Sequence, residues 1–274
     1  GEIQNKGFEF SVDGRVIDKA VKWDVSANIA FNRSKVIKLY NNQDILGGNF
    51  NVTLISDAAN LLRQGLPVGV FYGYVEQGYS DKGQVVYKDL NGDGVINQND
   101  KTVIGNPNPK FIYGFNSSVS FKGLELSFFI QGVQGNDLAN LSAIGNTLDF
   151  NYGLNMPHEV YLNHWTPTHT DAKYPVISSK NSYNFSNRNI ENGSFMRLRN
   201  IQLAYTLPLK QWGLNNLRRI QIYASGQNLL TITKYSWWDP EVNSLGGANS
   251  IGQGIDYYTY PTTKSVTFGL RIGF

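Results

Sequence analysis

The sequence predicts an all-β chain, and more narrowly part of a transmembrane antiparallel β-barrel. Three observations carry this. Apolar and polar residues alternate over seven separate runs, the runs are longer than ordinary strands, and the connections between them are alternately short and long. Composition agrees: 28 of the 274 residues are Gly, 13% are aromatic and only 16% are charged, against roughly 25% charged in an ordinary soluble domain.

Side chains on a strand point to opposite faces in turn, so each run shows two parities. In the first, Phe8, Phe10, Val12 and Val16 oppose Glu9, Ser11, Asp13 and Arg15. In the second, Val21, Trp23, Val25, Ala27, Ile29 and Phe31 oppose Lys22, Asp24, Ser26, Asn28 and Asn32. The third sets Phe111, Tyr113, Phe115, Val119 and Phe121 against Gly114, Asn116, Ser118 and Ser120. The fourth sets Leu124, Leu126, Phe128 and Ile130 against Glu125, Ser127 and Gln131. Residues 195–207 form the fifth, with a phase slip near Asn200 that predicts a β-bulge, after which Ile201, Leu203, Tyr205 and Leu207 carry the apolar parity. The sixth has Ile220, Ile222 and Ala224 against Arg219, Gln221, Ser225 and Gln227. The seventh is the cleanest: Val266, Phe268, Leu270, Ile272 and Phe274 against Ser265, Thr267, Gly269, Arg271 and Gly273.

Most runs are about 10–13 residues, where globular strands average 5–6 and a tilted membrane strand needs about 9–11. Tight turns at Asp18–Ala20, Lys122-Gly123 and 208–218 alternate with long excursions at 34–110, 135–194 and 232–261. Short turns at one rim and long loops at the other are the pattern of outer-membrane barrels, with the short turns periplasmic. A soluble β-sandwich also has one polar face, but its hairpin loops are short. Its wet face is also normally rich in Lys and Glu, where this one is mostly Ser, Asn, Gln and Gly. Seven strands that start mid-wall do not close a barrel. The expectation is therefore the C-terminal part of a larger barrel.

Composition also excludes several functions. There is no Cys, which removes disulfides and thiolate chemistry. The net charge of +3 is spread evenly and gives no basic patch for nucleic acid. No apolar run approaches the length of a membrane helix, and residues 1–6 lack signal-peptide architecture.

One local motif carries metal chemistry. Asp89-Leu90-Asn91-Gly92-Asp93-Gly94-Val95-Ile96-Asn97-Gln98-Asn99-Asp100 follows the D-x-[DN]-x-[DN]-G pattern of a Ca²⁺ loop. Asp89, Asn91 and Asp93 supply oxygens at positions 1, 3 and 5, Val95 its carbonyl at position 7, and Asp100 stands at position 12. An Asp at position 12 and the absence of flanking amphipathic helices make it a dockerin-type loop rather than an EF-hand. Its expected cofactor is a structural Ca²⁺ that stiffens a long loop; the alternative is an Asx- and Gly-rich turn without metal. His158, His164 and His169 share one loop but not the spacing of a zinc pair. Tyr235, Trp237, Trp238, Tyr257, Tyr258 and Tyr260 crowd the last excursion. Such rings suit contact with a substrate or a covering partner, and equally an interfacial girdle. No nucleophile–base pair, phosphate loop or catalytic carboxylate pair stands out, so an enzyme is not expected.

Several tracts together resemble the C-terminal barrel of the SusC/RagA family of TonB-dependent outer-membrane transporters. They are Ile104-Gly105-Asn106-Pro107-Asn108-Pro109-Lys110-Phe111-Ile112-Tyr113-Gly114-Phe115, Phe129-Ile130-Gln131-Gly132-Val133-Gln134-Gly135-Asn136-Asp137 and Asn192-Gly193-Ser194-Phe195-Met196-Arg197-Leu198-Arg199-Asn200. To these add Gly226-Gln227-Asn228-Leu229-Leu230-Thr231-Ile232-Thr233-Lys234-Tyr235, Asp239-Pro240-Glu241 and the Asp-rich loop. The tracts cover nearly the whole chain in order. The resemblance implies the last seven strands of a 22-stranded barrel in the outer membrane of a Bacteroidetes-type bacterium. It implies a plug domain within that barrel, a SusD-like surface lipoprotein as lid, and uptake of oligosaccharides or peptides driven by TonB through the plug. It also implies paired importer units, and Phe274 resembles the family's terminal aromatic. The plug region is absent from this chain. On this reading Glu9, Asp13, Arg15, Asp24, Asn28, Gln131, Gln221 and Arg271 line the lumen, and excursions 34–110, 135–194 and 232–261 meet lid and substrate. The alternatives are a siderophore or cobalamin receptor, and a Ca²⁺-stabilised surface adhesin.

Overall fold

A computed structural model describes residues 1–52, 55–148, 155–179, 181–212, 217–246 and 251–274. The chain opens with β1 (Glu2–Asp18) and β2 (Val21–Lys38). The first excursion contributes β3 (Ile45–Val52), β4 (Ile55–Leu62), β5 (Val70–Gly73), β6 (Glu76–Tyr79), β7 (Val85–Tyr87) and β8 (Thr102–Gly105). A hairpin follows, β9 (Phe111–Phe121) and β10 (Leu124–Gln134). The second excursion holds β11 (Asp137–Asn140), two short helices, α1 (Ser142–Thr147) and α2 (His158–Leu162), and β12 (Ile190–Asn192). Then come β13 (Phe195–Thr206), β14 (Arg219–Thr233), β15 (Ile255–Asp256) and β16 (Ser265–Gly273).

The seven runs read from the sequence form one antiparallel sheet in the order β1-β2-β9-β10-β13-β14-β16. Register joins their apolar parities into a continuous face. Phe10 pairs with Ile29, Ile29 with Tyr113, Tyr113 with Gly132 and Gly132 with Met196. Nearer the other rim, Leu126 pairs with Leu203, Leu203 with Ala224 and Ala224 with Phe268. This face lies bare, with Phe8, Phe10 and Phe268 at 73%, 61% and 79% exposure. On this face the Trp23 indole donates to Ser117 Oγ at 3.0 Å. The outer edges of β1 and β16 pair with no strand among the described residues. The sheet is a barrel segment, open at both edges.

Turn chemistry sets the short rim. Lys122 and Gly123 have φ of 47° and 87°, the two left-handed positions that a two-residue hairpin needs to match strand twist. The phase slip near Asn200 is a bulge. Leu198 faces Leu230 and Asn200 faces Gln227, leaving Arg199 on one strand and Asn228 and Leu229 on the other unpaired. A second bulge falls at Val16, between Arg15 and Ile17, so Ile17 rather than Val16 stands opposite Trp23.

Two expectations need correction. The wall strands reach farther than alternation showed: β2 runs to Lys38, so the first excursion starts at 39 rather than 34, and the last spans 234–264 rather than 232–261. Alternation fades there because the upper ends of the strands leave the band where one side must be greasy. Val36 is instead fully buried against Leu39 and Leu62. The excursions, moreover, are not independent loops. Phe50, Val52, Ile55, Ala59 and Phe71 of the first, Ala139, Leu141, Ile144, Leu148, Tyr183 and Phe185 of the second, and Ile255 of the third make one hydrophobic core. β11 pairs with β12 on one side and, in parallel, with β15 on the other, tying the second excursion to the third. The result is a cap with its own interior at the long-loop rim. Residues 53–54, 149–154, 180 and 247–250 of these excursions, and 213–216 of the third short turn, lie outside the described residues.

Candidate functional site

The polar parities make up the opposite face of the sheet. Glu9, Asp13, Arg15, Asp24, Asn28, Gln131, Gln221 and Arg271 all fall on it by register. Several are tied down by neighbours. Arg15 Nε donates to Asp24 Oδ1 at 2.8 Å, and its guanidinium lies 3.5 Å from Asp18. Gln221 is 1% exposed; it accepts from Arg271 at 3.2 Å and donates to Thr206 Oγ1 at 3.3 Å. The Arg271 guanidinium stacks 4.5 Å over the Tyr223 ring. Gln131 accepts from Arg199 Nε at 2.9 Å. Glu9, Asn28 and Gln131 share a hollow of about 620 Å³ with Ser11, Gly114 and Phe129. A Cβ at Gly114 would lie 2.5 Å from Asn28 Oδ1, so a larger residue there would turn the Asn28 amide aside. The face is thus a hydrogen-bonded polar wall with a depression between β1 and β10, suited to polar solutes or to a polar protein surface.

Where wall meets cap, three tracts far apart in sequence come together. Asn106 and Asp137 are doubly joined, Asp137 N to Asn106 O and Asn106 N to Asp137 Oδ2, both at 2.8 Å. Gly193 N donates to Asn136 O at 2.9 Å, and Gly135 N to Ser194 Oγ at 2.9 Å. The Gly-Asn-Pro-Asn-Pro, Gln-Gly-Asn-Asp and Asn-Gly-Ser segments therefore form the corner at which strands leave the wall. They border a hollow of about 420 Å³ that also contains Arg33 and Lys110.

A second junction, not anticipated as a unit, is a charge latch. Arg197, 2% exposed at the cap end of β13, donates to Asp239 Oδ1 at 2.5 Å, Glu241 Oε2 at 2.8 Å, Thr262 Oγ1 at 2.7 Å and Thr231 Oγ1 at 2.9 Å. Arg199, on the bulge, reaches the other Glu241 oxygen. Burial pushes the Asp239 carboxyl up, but Arg197, Thr262 and the backbone N–H groups of Glu241 and Thr262 outweigh it and hold it below the usual carboxylate range. The sequence signal was there: two Arg two residues apart beside a phase slip, and an Asp-Pro-Glu segment of matching spacing.

The aromatic group divides. Trp237 and Trp238 stack at 5.5 Å, with Trp238 60% exposed. Tyr257 and Tyr258 lie 5.2 Å apart and Tyr260 is 81% exposed, so these five rings reach the cap surface in whole or part. Tyr235 does not. It is 5% exposed, packs with Leu138 and Val242, and donates to Asp256 Oδ2 at 2.7 Å, which with burial pushes its phenol far up. As a packing residue of the cap it offers no contact surface, which corrects its place in the contact set.

The Asp-rich loop closes on its own backbone. Asp89 accepts from Gly92 N at 2.6 Å and Gly94 N at 2.7 Å, Asn91 from Asp93 N at 3.0 Å, and Asp93 from Val95 N at 2.8 Å. Asp100 is fully buried and accepts from Leu90 N and Asn97 N, each at 2.8 Å. Hydrogen bonds from Asn97 first, then Leu90, hold its carboxyl below its usual range against burial. Asp89, Asn91, Asp93 and the Val95 carbonyl remain on the exposed side of the loop and suit a Ca²⁺ shell in donor chemistry. Asp100 and Asp89 each accept one backbone N–H on either oxygen, and every one of those oxygens keeps a lone pair open to a cation. Among the described residues no group of three or more acidic or His side chains gathers as metal ligands. His164 Nδ1 contacts Tyr161 O at 2.6 Å, and His169 lies 3.8 Å from Asp171.

No family model matches the chain. Over its full length it is similar to TonB-dependent receptor P3 of Formosa agariphila, 31% identical over 296 residues and spanning 29% of that protein. It is similar likewise to TonB-dependent receptor SusC of Bacteroides thetaiotaomicron, 28% identical over 287 residues and 27% of that protein. In fold it matches the RagAB peptide transporter with a TM-score of 0.81 at 24% identity, covering 99% of this chain and 29% of that one. Against the RagAB peptide importer in its closed-closed state the TM-score is 0.78 at 25% identity, covering 99% of this chain and 30% of that one. The chain spans about three tenths of the length of the curated relatives it matches.

Proposed function

The chain is a β-barrel segment of the SusC/RagA family of TonB-dependent receptors, and from that premise we propose that it supplies wall and outer cap to a nutrient importer of the outer membrane. One observation carries the proposal. A seven-stranded sheet bares an unbroken apolar face on one side and a hydrogen-bonded polar face on the other, with both edges unpaired. In water such a face is an aggregation hazard; in a bilayer it is the outer wall of a lumen. The cargo is an oligosaccharide or a peptide, passing the polar face of Glu9, Asn28 and Gln131. The remainder of the barrel with its plug closes the two edges, TonB acts through that plug, and a SusD-like lipoprotein meets the cap. Paired units follow the same family logic. The exposed rings of Trp238, Tyr258 and Tyr260 are the cap's candidates for lid or cargo contact.

The test is isolation of the full-length protein from outer membranes under mild detergent, with mass spectrometry of whatever accompanies it. A co-purifying surface lipoprotein with bound glycan or peptide is the expected result. A bound metal chelate would replace the nutrient with a siderophore or cobalamin, and recovery in the aqueous fraction would overturn the reading.

We also propose a structural Ca²⁺ held by Asp89, Asn91, Asp93, the Val95 carbonyl and Asp100. Metal analysis of the purified protein tests it: about one Ca²⁺ per chain, lost on Asp89→Ala with Asp93→Ala, is expected for a loop of this pattern. Equal metal content in both proteins would refute it.

A further inference from the structure

We propose that the foot of the last wall strands holds one anionic phospholipid, its acyl chain in an apolar trough along β14 and its phosphate against Arg218 and Lys122. This rests on the membrane-wall reading above and goes beyond it, from a general lipid-facing surface to a site.

The trough is built by residue size. Across β13, β14 and β16 the outward rows are Ile201–Gly226–Val266, Leu203–Ala224–Phe268 and Tyr205–Ile222–Leu270. In the two upper rows the central strand carries its smallest side chains between large ones, so the floor drops while the walls stand. Leu203, Ala224 and Phe268 of the middle row and Tyr205, Ile222 and Leu270 of the lower one border an outward-open hollow of about 630 Å³. The bulge lies above it. Leu229, one of the extra residues beside Asn228 with φ of 51°, lies over Gly226, where a Cβ would fall 2.4 Å from Leu229 Cδ1. Toward the short-turn rim the floor rises at Ile222 and Ile220, and the outward parity of β14 runs on to Arg218.

Charge waits at that rim. Lys122 occupies the β9–β10 turn, and Arg218 and Arg219 stand at the start of β14, where Arg218 N bonds Gly273 O. Both arginines are exposed, and among the described residues none of these three cations makes an ion pair. Glu125, the nearest acid in sequence to Lys122, borders the same rim hollow and makes no ion pair with it. Six residues separate Ala224 from Arg218, about 20 Å of extended strand, which is the reach of a long acyl chain below its headgroup. Cations free of ion pairs at a membrane surface draw anionic lipid, and the hollow above them takes the end of its tail.

The experiment uses the full-length protein in detergent, stripped of lipid and titrated with phosphatidylglycerol or phosphatidylethanolamine under native mass spectrometry. Ala224→Leu, which fills the floor, should weaken phosphatidylglycerol retention about tenfold or more. Ala27→Leu, at another small outward position, should leave it unchanged. Arg218→Gln with Lys122→Gln should erase the preference for phosphatidylglycerol over phosphatidylethanolamine. Retention unaffected by Ala224→Leu, or lowered equally by Ala27→Leu, overturns the site, as does equal binding of both lipids by the wild type. Should Ala224→Leu fail to assemble, the Arg218/Lys122 pair, whose side chains take no part in the strand ladder, decides. Membrane-embedded protein with unchanged lipid retention sinks the site alone; recovery from the aqueous fraction sinks the wall reading with it.

Discussion

Arg197 shows how much a single side chain holds. It is buried with Asp239, side chains 3% and 5% exposed, and its hydrogen bonds join β13 and β14 to the last excursion. Removing one member of such a pair leaves the other charged and unpaired in the interior, which costs about 3–5 kcal/mol. Arg197→Met should therefore lower thermal stability of the full-length barrel steeply and expose 234–264 to protease. Trp238→Ala, at an exposed ring, should leave melting and protease resistance near wild type. Equal melting temperatures for the Arg197 variant and wild type would contradict the latch. Asp100 makes a smaller staple with a defined pH dependence. Its carboxyl is held below the ordinary value, so its contribution is complete above about pH 3.9 and fades as pH falls through the lower folded value. Hydrogen-exchange protection factors at Leu90 and Asn97 should stay high at pH 6 and fall well below pH 3.9. Asp100→Asn should show low protection at both. Chelation of Ca²⁺ should loosen 89–95 while leaving the Asp100 bonds in place.

At the scale of elements, the wall strands answer to which side of the sheet a residue faces. Phe268 and Thr267 are neighbours in β16, one in the apolar row with Ala224, the other in the polar row with Ser225. An Arg on a lipid face near the bilayer centre costs about 2–4 kcal/mol. Phe268→Arg should reduce assembled, heat-modifiable barrel strongly, and Thr267→Arg only slightly; equal losses would mean the faces are misassigned. The β9–β10 hairpin answers to backbone geometry instead. At Gly123, φ is 87° and a Cβ would sit 2.7 Å from Thr206 O, so Gly123→Ala should slow assembly although the residue touches neither lipid nor lumen. The bulge near Asn200 serves two ends. It turns Arg199 toward Glu241 and lays Leu229 over Gly226.

For the whole molecule, the three excursions behave as one body. Their shared core runs from Phe50 through Leu141 to Ile255, so a change in one excursion is felt in the others. Phe185, fully buried and edge-on to Phe50 at 5.3 Å, is its centre. Phe185→Ala should cost about 3–5 kcal/mol of cap stability, read as faster proteolysis across all three excursions with the wall still membrane-embedded. Cleavage confined to the second excursion would mean that the cap is not a unit.

Alternation by itself determined the seven wall strands, their two faces and the alternating connections. A membrane wall has to repeat with period two, and that period is written in every residue. The bulge at Asn200 was legible for the same reason, as a break in the repeat. Only the tertiary structure decided what the excursions are, because Phe50, Phe185 and Ile255 meet at sequence separations that leave no local pattern. It likewise paired the two Arg of β13 with Asp239 and Glu241, buried Tyr235 away from the cap surface, and turned Asp100 to the backbone. Each depends on which distant segments come together, and packing, unlike periodicity, is a property of pairs.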